Sequence, residues 1–232
     1  MSIFAISDLH LSFSTNKPMD KFGKKWENYY ERLKENWNNT VKEEDLVIIP
    51  GDISWATYLD ECYLDFDYIN KLSGRKVFLK GNHDYWWTTL SKMKKFAYEN
   101  KFDTISFIQN NSVQYENYSI CGTRGWSIKS SEDPKLNEKI FDREKKRLIL
   151  SLEDAKKKSS NEIIAALHYP PVEKDSQNKD FIDILNEYGV KICFYGHIHA
   201  QSIKNAVTGD FGGIELRLVS CDSVGFTPVL LK

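Results

Sequence analysis

All five histidines of this 232-residue chain lie in short polar segments that directly follow apolar runs. The segments are Asp8-Leu9-His10, Gly81-Asn82-His83-Asp84, the single His168 and Gly196-His197-Ile198-His199, and a Gly51-Asp52 pair ends one further run. Imidazole, carboxylate and amide donors without thiolates suit Mn²⁺, Fe or Zn²⁺ better than a cysteine-type structural zinc site. The residue types therefore indicate metal-assisted chemistry.

Seven of these side chains are candidate metal ligands when His83 is set aside. They are Asp8, His10, Asp52, Asn82, His168, His197 and His199. Seven donors are too many for one ion that keeps an open coordination position, and they suit two ions that share a bridging carboxylate. Asp52, central in chain order, is the predicted bridge. Two such ions would favour a hydroxide between them and would attract a phosphate group.

Each segment taken alone also has an ordinary structural interpretation. An aspartate at a strand end, such as Asp8, is a common turn or helix cap, and a single histidine such as His168 is often a satisfied, partly buried side chain. Asp84 in turn is placed to cap a helix that starts after it. The complete set favours the metal site, because all five histidines fall at strand ends and none falls in a helical segment.

The elements that must position these residues are short apolar runs, typical of strands buried on both faces. They cover 3–7, 46–50, 76–80, 162–168 and 191–195, and amphipathic periods between them predict helices over about 22–37, 56–72, 87–97, 134–158 and 179–188. This alternation predicts an α/β fold with a parallel or mixed sheet. Because ligands bind at the carboxyl ends of such strands, we expect the polar segments to meet at one edge.

The last part of the chain has a different pattern. Segments 113–122 and 213–220 alternate apolar and polar residues, with Ile214, Leu216 and Leu218 on one face of the second segment. Such alternation predicts antiparallel strands with one wet face. Two packed sheets with helices outside would accommodate all of these elements.

Composition limits the class of protein. Lys plus Arg number 32 and Asp plus Glu 33, which argues against a nucleic-acid coat with a basic excess. No apolar run approaches the roughly 18–20 residues that span a bilayer, and no secretory signal is evident. The four scattered cysteines are expected to be buried, reduced thiols. We predict one cytoplasmic domain over residues 1–232 without a membrane segment, and its oligomeric state stays open.

The order D-x-H, G-D, G-N-H-D, H and G-H-x-H resembles the calcineurin-like metallophosphoesterase superfamily, and the motifs extend from Asp8 to His199. The resemblance implies a four-layer α/β/β/α sandwich of two mixed β-sheets flanked by helices. It also implies two ligand sets, which are Asp8, His10, Asp52 and His199 for one ion and Asp52, Asn82, His168 and His197 for the other. His83 would then be catalytic, with Asp84 beside it to orient its ring.

The predicted function is a metal-dependent phosphoesterase that hydrolyses phosphate mono- or diesters. A metal-bridging hydroxide would attack, and His83 would act as general acid. The expected partners are two divalent ions (Mn, Fe or Zn) and a small phosphoester. One alternative is a non-catalytic scaffold on the same fold, which has no need of His83 or of a full ligand set. Another is a nuclease-type phosphodiesterase, which the balanced charge and the lack of an added basic domain disfavour.

Three further features each allow two interpretations. Arg124, between two glycines in 122–125, either binds a substrate phosphate or has a structural role. The charged segment 135–158 is either a solvated helix or a lid or partner surface. Large aromatic residues adjoin the motifs and form either core packing or the mouth of a site. They are Trp55, Tyr85, Trp86, Trp87 and Tyr169.

Overall fold

Two mixed β-sheets form the centre of the computed structural model, which describes residues 1–127, 132–174 and 176–231. The strands are β1 Ile3–Ala5, β2 Leu46–Ile49, β3 Arg75–Phe78, β4 Ile105–Phe107, β5 Val113–Tyr115, β6 Tyr118–Thr123, β7 Glu162–Leu167, β8 Ile192–Tyr195, β9 Gly209–Phe211, β10 Ile214–Leu218 and β11 Val229–Leu230. The first sheet has the order β11-β1-β2-β3-β4, and the second has the order β5-β6-β7-β8-β10-β9.

Helices cover the outer faces of both sheets. They are α1 Tyr29–Thr40, α2 Tyr63–Asn70, α3 Leu90–Glu99, α4 Pro134–Lys158 and α5 Asp180–Glu187, with 3-10 turns at Met19–Phe22, Lys24–Trp26, Leu59–Cys62 and Ala200–Asn205. Side chains of α1, α2 and α3 pack on the first sheet, and those of α4 and α5 pack on the second. The predicted fold class, two mixed sheets flanked by helices, is confirmed.

Alternation along the strands divides the core into three layers, because successive side chains of a strand point to opposite faces. Ile48 of β2 and Ile164 of β7 belong to one cluster, which joins the two sheets. Their neighbours Val47 and Ile163 belong to the two outer clusters, which contain the helices. Burying apolar surface on both faces of each sheet fixes the register and thus the level at which every strand ends.

The structure corrects the prediction for the last strands. Segment 113–122 is a hairpin, since the chain turns at Glu116, which has φ 50°, between β5 and β6. β6 pairs in parallel with β7, and β10 pairs in parallel with β8. The antiparallel partners are β5 and β9, which lie at the two edges of the sheet. The alternating pattern therefore identified the strands and their antiparallel pairs β5–β6 and β9–β10, but not the parallel pairing of β6 and β10 with the centre of the sheet.

Helix α4 excludes the lid interpretation of the charged segment, while its use as a partner surface stays a prediction. It has the predicted bounds, and Asp133 caps it by accepting from the backbone amides of Lys135 and Leu136. One face carries Leu148 and Leu152, which are completely buried against the second sheet, so the helix is a packed element and not a lid. Within the described ranges, no helix is both long and apolar enough to cross a bilayer.

Candidate metal centre

Five strand ends bring the seven candidate ligands to one place. Segments after β1, β2 and β3 of the first sheet supply Asp8, His10, Asp52 and Asn82, and those after β7 and β8 of the second sheet supply His168, His197 and His199. Backbone hydrogen bonds continue the strand pairing into the site, since the amide of His10 donates to the carbonyl of Asp52 at 2.9 Å. The expectation that these segments would meet at one edge holds, with both sheets contributing.

The first group of ligand atoms comes from Asp8, His10 and His199. One donor atom from each lies within 4.8 Å of the others, and His199 Nε2 is 2.9 Å from Asp8 Oδ1. Asp8 and His10 are buried, whereas His199 is partly exposed. Two imidazoles and a carboxylate at this spacing have the composition of a divalent-cation site.

A second group combines Asp8, Asp52 and His168, whose donor atoms also lie within 4.8 Å of one another. Asp52 Oδ2 is 3.4 Å from His168 Nε2 and 3.8 Å from His10 Nε2, which places this oxygen between the two groups. Asn82 Oδ1 is 2.6 Å from His168 Nε2 and 2.9 Å from His197 Nδ1. Asp8 therefore belongs to both groups, and Asp52 lies between His10 of the first group and His168 of the second.

A hydrogen bond outside the cluster fixes the orientation of His168. His168 Nδ1 lies 2.9 Å from the carbonyl oxygen of Pro50, so Nδ1–H donates there and Nε2 presents a lone pair to the site. Burial lowers the pKa of His168 to about 3, which keeps the ring neutral. Its Nε2 and the Asn82 oxygen are then two lone-pair atoms facing each other, an arrangement that a cation between them stabilises.

Asp222 is a site residue that the sequence reasoning missed. Its Oδ1 accepts from His199 Nδ1 at 2.8 Å, and its Oδ2 accepts from the amide of Ala200 at 2.9 Å. A carboxylate behind a ligand histidine fixes the tautomer and makes the ring more basic. Asp222 belongs to no recognisable motif, but it follows the end of β10, and the strand-end rule applied to segment 213–220 would have found it.

The ionisation of the centre reflects burial, which a neighbouring opposite charge offsets for some groups and not for others. Burial raises the pKa of Asp52 well above its ordinary range, and repulsion from Asp8 and Asp84 adds to the shift. Burial likewise lowers the pKa of His10 to about 3. Burial would also lower the pKa of His199, but attraction to Asp8 and Asp222 outweighs it and raises that pKa to about 10.

This donor set fits divalent cations. A bound cation would favour ionised carboxylates and unprotonated imidazoles, which removes the repulsion between Asp8 and Asp52. The buried Nδ1 of His10 also has no hydrogen-bond partner in the part of the chain that the structure describes. The neutral imidazoles of His10 and His168 beside two buried carboxylates thus have the chemistry of a metal centre.

Several ligands occupy backbone conformations that most residues avoid. Asp8, His10, Asp52 and His197 have φ values of 60°, 47°, 52° and 69°, in the left-handed region. Such conformations are uncommon outside glycine and concentrate at functional sites. Here they turn the chain sharply at the end of a strand, so that the side chain points into the centre.

Two glycines of the motifs are required by close packing around the carboxylates. A Cβ atom on Gly81 would collide with the side chain and backbone of Asp52, and one on Gly196 would collide with the side chains of Asp8 and Ser7. Each glycine therefore allows one strand end to approach a carboxylate that comes from another strand. This explains why Gly81 and Gly196 precede the ligands in their segments.

His83 lies at the edge of the cluster. Its ring centroid is 5.6 Å from that of His10 and 4.4 Å from that of Trp55, and the side chain is partly exposed. Burial lowers its pKa, and attraction to Asp8 opposes that shift. Its Nδ1 is buried and lacks a hydrogen-bond partner among the described residues.

Asp84 does not have the role expected from the sequence. Its carboxylate is completely buried and accepts hydrogen bonds from the amides of Gly81, Asp52, Ile53 and Ser54 and from the Trp86 indole. With these five donors around it, Asp84 joins the loop after β2 to the loop after β3 and does not orient the His83 ring. It does not cap a helix either, because α3 begins only at Leu90, with Thr89 as its cap.

The neighbouring aromatic residues divide between the two interpretations. Trp86 and Tyr169 are buried and belong to the packing around the centre. Trp55 stacks on the ring of His10, with centroids 4.9 Å apart, while Tyr85 is 59% exposed. A cavity of about 800 Å³ opens beside His197 and His199, which gives a small molecule access to the centre.

The chain is similar to several known proteins. The family model described as calcineurin-like phosphoesterase matches residues 1–201. An uncharacterised protein from Methanocaldococcus jannaschii is 30% identical over 87 residues, which are 35% of this chain and 46% of that protein. The match therefore spans less than half of that relative's length.

Two solved structures share the fold. A protein of unknown function from Aquifex aeolicus has a TM-score of 0.56 at 14% identity, over 99% of this chain and 95% of that one. The phosphopantetheinyl hydrolase from Mycobacterium tuberculosis has a TM-score of 0.53 at 12% identity, over 94% of this chain and 88% of that one. At such low identity the likeness concerns the fold alone.

Proposed function

Since the chain belongs to the calcineurin-like phosphoesterase family, we propose that it hydrolyses phosphate mono- or diesters with two divalent cations at its strand ends. The observation that carries the proposal is the convergence of seven oxygen and nitrogen donors from five strand ends of both sheets. The expected substrate is a small phosphoester, and the cytosol stays the predicted location.

The proposed ligand sets are those implied by the family motifs. Asp8, His10, Asp52 and His199 would hold one cation, and Asp52, Asn82, His168 and His197 would hold the other. The position of Asp52 Oδ2 between His10 and His168 supports its role as the bridge. Bound divalent cations (Mn, Fe or Zn) would lower the pKa of an attacking water and stabilise charge on the phosphoryl oxygens.

His83 is the proposed general acid. The alkoxide that leaves a phosphoester needs a proton, and an imidazole with a pKa near the working pH supplies it efficiently. The ring of His83 is partly exposed at the edge of the cluster and next to His10, within reach of a leaving group that points to solvent. Asp84 is a positioning residue in this scheme, because it fixes the loop that carries Asn82 and His83 to the loop that carries Asp52.

The test is to strip the protein of metal, reload it with Mn²⁺, Fe²⁺ or Zn²⁺, and assay mono- and diesters side by side. We expect metal-dependent turnover and two equivalents of metal by elemental analysis. Asp52→Ala is expected to lose both ions, and two full equivalents in that variant would refute the bridging assignment. A protein that binds two equivalents and hydrolyses none of the esters would instead be the non-catalytic scaffold.

A further inference from the structure

A small basic cavity lies between the two sheets on the side of the metal centre. Its volume is about 140 Å³, and its lining includes Lys80 after β3, Arg124 after β6, and Glu144 and Arg147 from α4. One water needs only ~10–15 Å³ of such space, so the cavity has room for a group of several heavy atoms. It is distinct from the larger cavity beside His197 and His199.

The charges of this cavity do not balance. Glu144 is completely buried, and its carboxylate accepts from Thr123 Oγ1 at 2.7 Å and from Arg147 Nη1 at 2.8 Å. Arg124 Nη2 is 3.5 Å from the same carboxylate. Three cationic side chains and one carboxylate thus leave two positive charges in excess among the lining residues. The three cationic side chains are partly exposed, so water solvates part of this excess, and an anion that enters the cavity would neutralise the part that burial desolvates.

Arg124 has a donor left over for such an anion. Its guanidinium stacks over the ring of Trp126, with 4.7 Å between the guanidinium carbon and the ring centroid, which fixes its plane. Its Nε is buried, and no residue of the described ranges accepts a hydrogen bond from it. Arginine binds phosphate through its N–H groups, so a guanidinium held in place with an unused Nε–H suits a phosphate oxygen.

The cavity adjoins the second proposed cation position. The backbone carbonyl of Arg124 accepts from the amides of His168 and Tyr169, at 3.1 and 2.8 Å. Lys80 lies two residues before Asn82 on the same strand end. A molecule held at the metal centre therefore has this basic cavity as its neighbour on the side of Asn82 and His168.

We propose that the cavity of Lys80, Arg124 and Arg147 is a second anion subsite, which binds a phosphate group other than the one that is hydrolysed. The preferred substrate would then carry two phosphate groups. The role of this subsite in substrate binding rests on the proposed function. The affinity of the cavity for phosphate does not depend on turnover.

The experiment uses phosphonates, whose P–C bonds an ester hydrolase does not cleave. Calorimetric titration of the Mn²⁺-loaded protein would compare methylphosphonate with alkylene bisphosphonates of increasing chain length. One phosphonate group would occupy the metal centre and the other the basic cavity. Because hydrogen bonds to charged groups are strong, we expect the best-fitting bisphosphonate to bind at least about tenfold more tightly than methylphosphonate.

Variants distinguish a ligand site from a structural ion pair. Arg147→Gln is expected to abolish the preference for the bisphosphonate while methylphosphonate still binds. Arg143→Gln is the matched control, because Arg143 Nε lies 3.6 Å from the same Glu144 carboxylate but Arg143 does not line the cavity. Lys80→Gln is the second test variant should Arg147→Gln fail to fold, and it is expected to weaken the preference in the same way.

Equal affinity for all phosphonates, or an equal loss of preference in Arg143→Gln, would overturn the subsite. Ester hydrolysis by a protein without the preference would leave the proposed function in place. The opposite result is also distinguishable. If the protein prefers the bisphosphonate, loses that preference in Arg147→Gln and hydrolyses no ester, the subsite is supported and the proposed function is refuted.

Discussion

Asp84→Asn tests whether one buried carboxylate holds the two central loops of the site together. Oδ2 of Asp84 accepts from the amides of Gly81 and Asp52, at 2.7 and 2.9 Å. Oδ1 accepts from the amide of Ile53 at 2.9 Å and from the Trp86 indole at 3.0 Å. Asparagine has the same shape, but its amide nitrogen is a donor and must replace one of these two oxygens.

The magnitude follows from the donors that lose their acceptor. Whichever oxygen becomes nitrogen, at least two buried N–H groups then face another donor. An unsatisfied buried donor costs about 1–3 kcal/mol, so we expect a loss of at least about 2 kcal/mol in the free energy of unfolding. For a chain of this length, such a loss lowers the melting temperature by at least about 4 °C.

The assay is urea and thermal unfolding of the metal-free protein followed by circular dichroism. The unfolding is measured near pH 8, because burial raises the pKa of Asp84 to about 6 and the carboxylate is ionised at pH 8. Asp67→Asn is the control, since Asp67 forms a surface pair with Lys71 across one helical turn and is expected to lose at most about 1 kcal/mol. A loss below about 1 kcal/mol in Asp84→Asn, or an equal loss in both variants, would refute this account of the loops.

Three further predictions concern the centre itself. Asp222→Asn is expected to weaken metal binding by about 10–100-fold, because the carboxylate no longer orients His199; competition with a chelator measures this, and an unchanged affinity would contradict it. His83→Ala is expected to keep both equivalents of metal but to lose about 10²–10⁴-fold in turnover of esters with poor leaving groups. An equal loss on p-nitrophenyl esters, which need little protonation, would exclude the acid role. In the metal-free protein, His10 and His168 have pKa values of about 3, whereas both titrate near 6.5 when unfolded. For these two rings the unfolded chain binds more protons between these values, but the raised pKa values of Asp52 and Asp84 act on the free energy of unfolding in the opposite direction. The test is therefore NMR titration of the two rings in the folded metal-free protein, where both are expected to stay neutral at about pH 5, and protonation of both near pH 6.5 would count against it.

The sequence predicted the site better than the loops that support it. Ligand types and strand ends are visible in the sequence, because an apolar run followed by glycine and a polar residue has few structural solutions in an α/β fold. The direction in which a side chain points from a loop is not visible. Asp84 therefore looked like a partner of His83, whereas the turn after it directs its carboxylate to the amides of residues 52–54.

Glu144 shows a second limit of the sequence. It lies in the most charged helix of the chain, where a solvated glutamate is the ordinary expectation, yet it is completely buried. The reason is tertiary, because the second sheet brings Thr123 and Arg124 against this face of α4. Periodicity within the helix contains no information about that contact, and the basic cavity could not have been found from the sequence.

The strained backbone of the ligands bears on whether the chain acts only as a scaffold. Left-handed conformations cost roughly 1–2 kcal/mol for residues with a side chain, and less for Asp and His than for bulkier types. Four of them, at Asp8, His10, Asp52 and His197, therefore amount to several kcal/mol. Typical domains have a net stability of only about 5–15 kcal/mol, so relaxing this strain would be a noticeable gain.

A scaffold without cations would gain stability by relaxing these positions, for example by placing glycine at them or by removing one of the two buried carboxylates. The chain instead combines the strain with two buried carboxylates, Asp8 and Asp52, and with the neutral imidazoles of His10 and His168 in the same buried volume. Bound cations would offset both costs at once, because they attract the carboxylates and use the lone pairs that the strained turns direct inward. On the proposed function this strain would preorganise the site for metal, and it predicts that metal raises the melting temperature of the native chain more than that of a variant lacking Asp52.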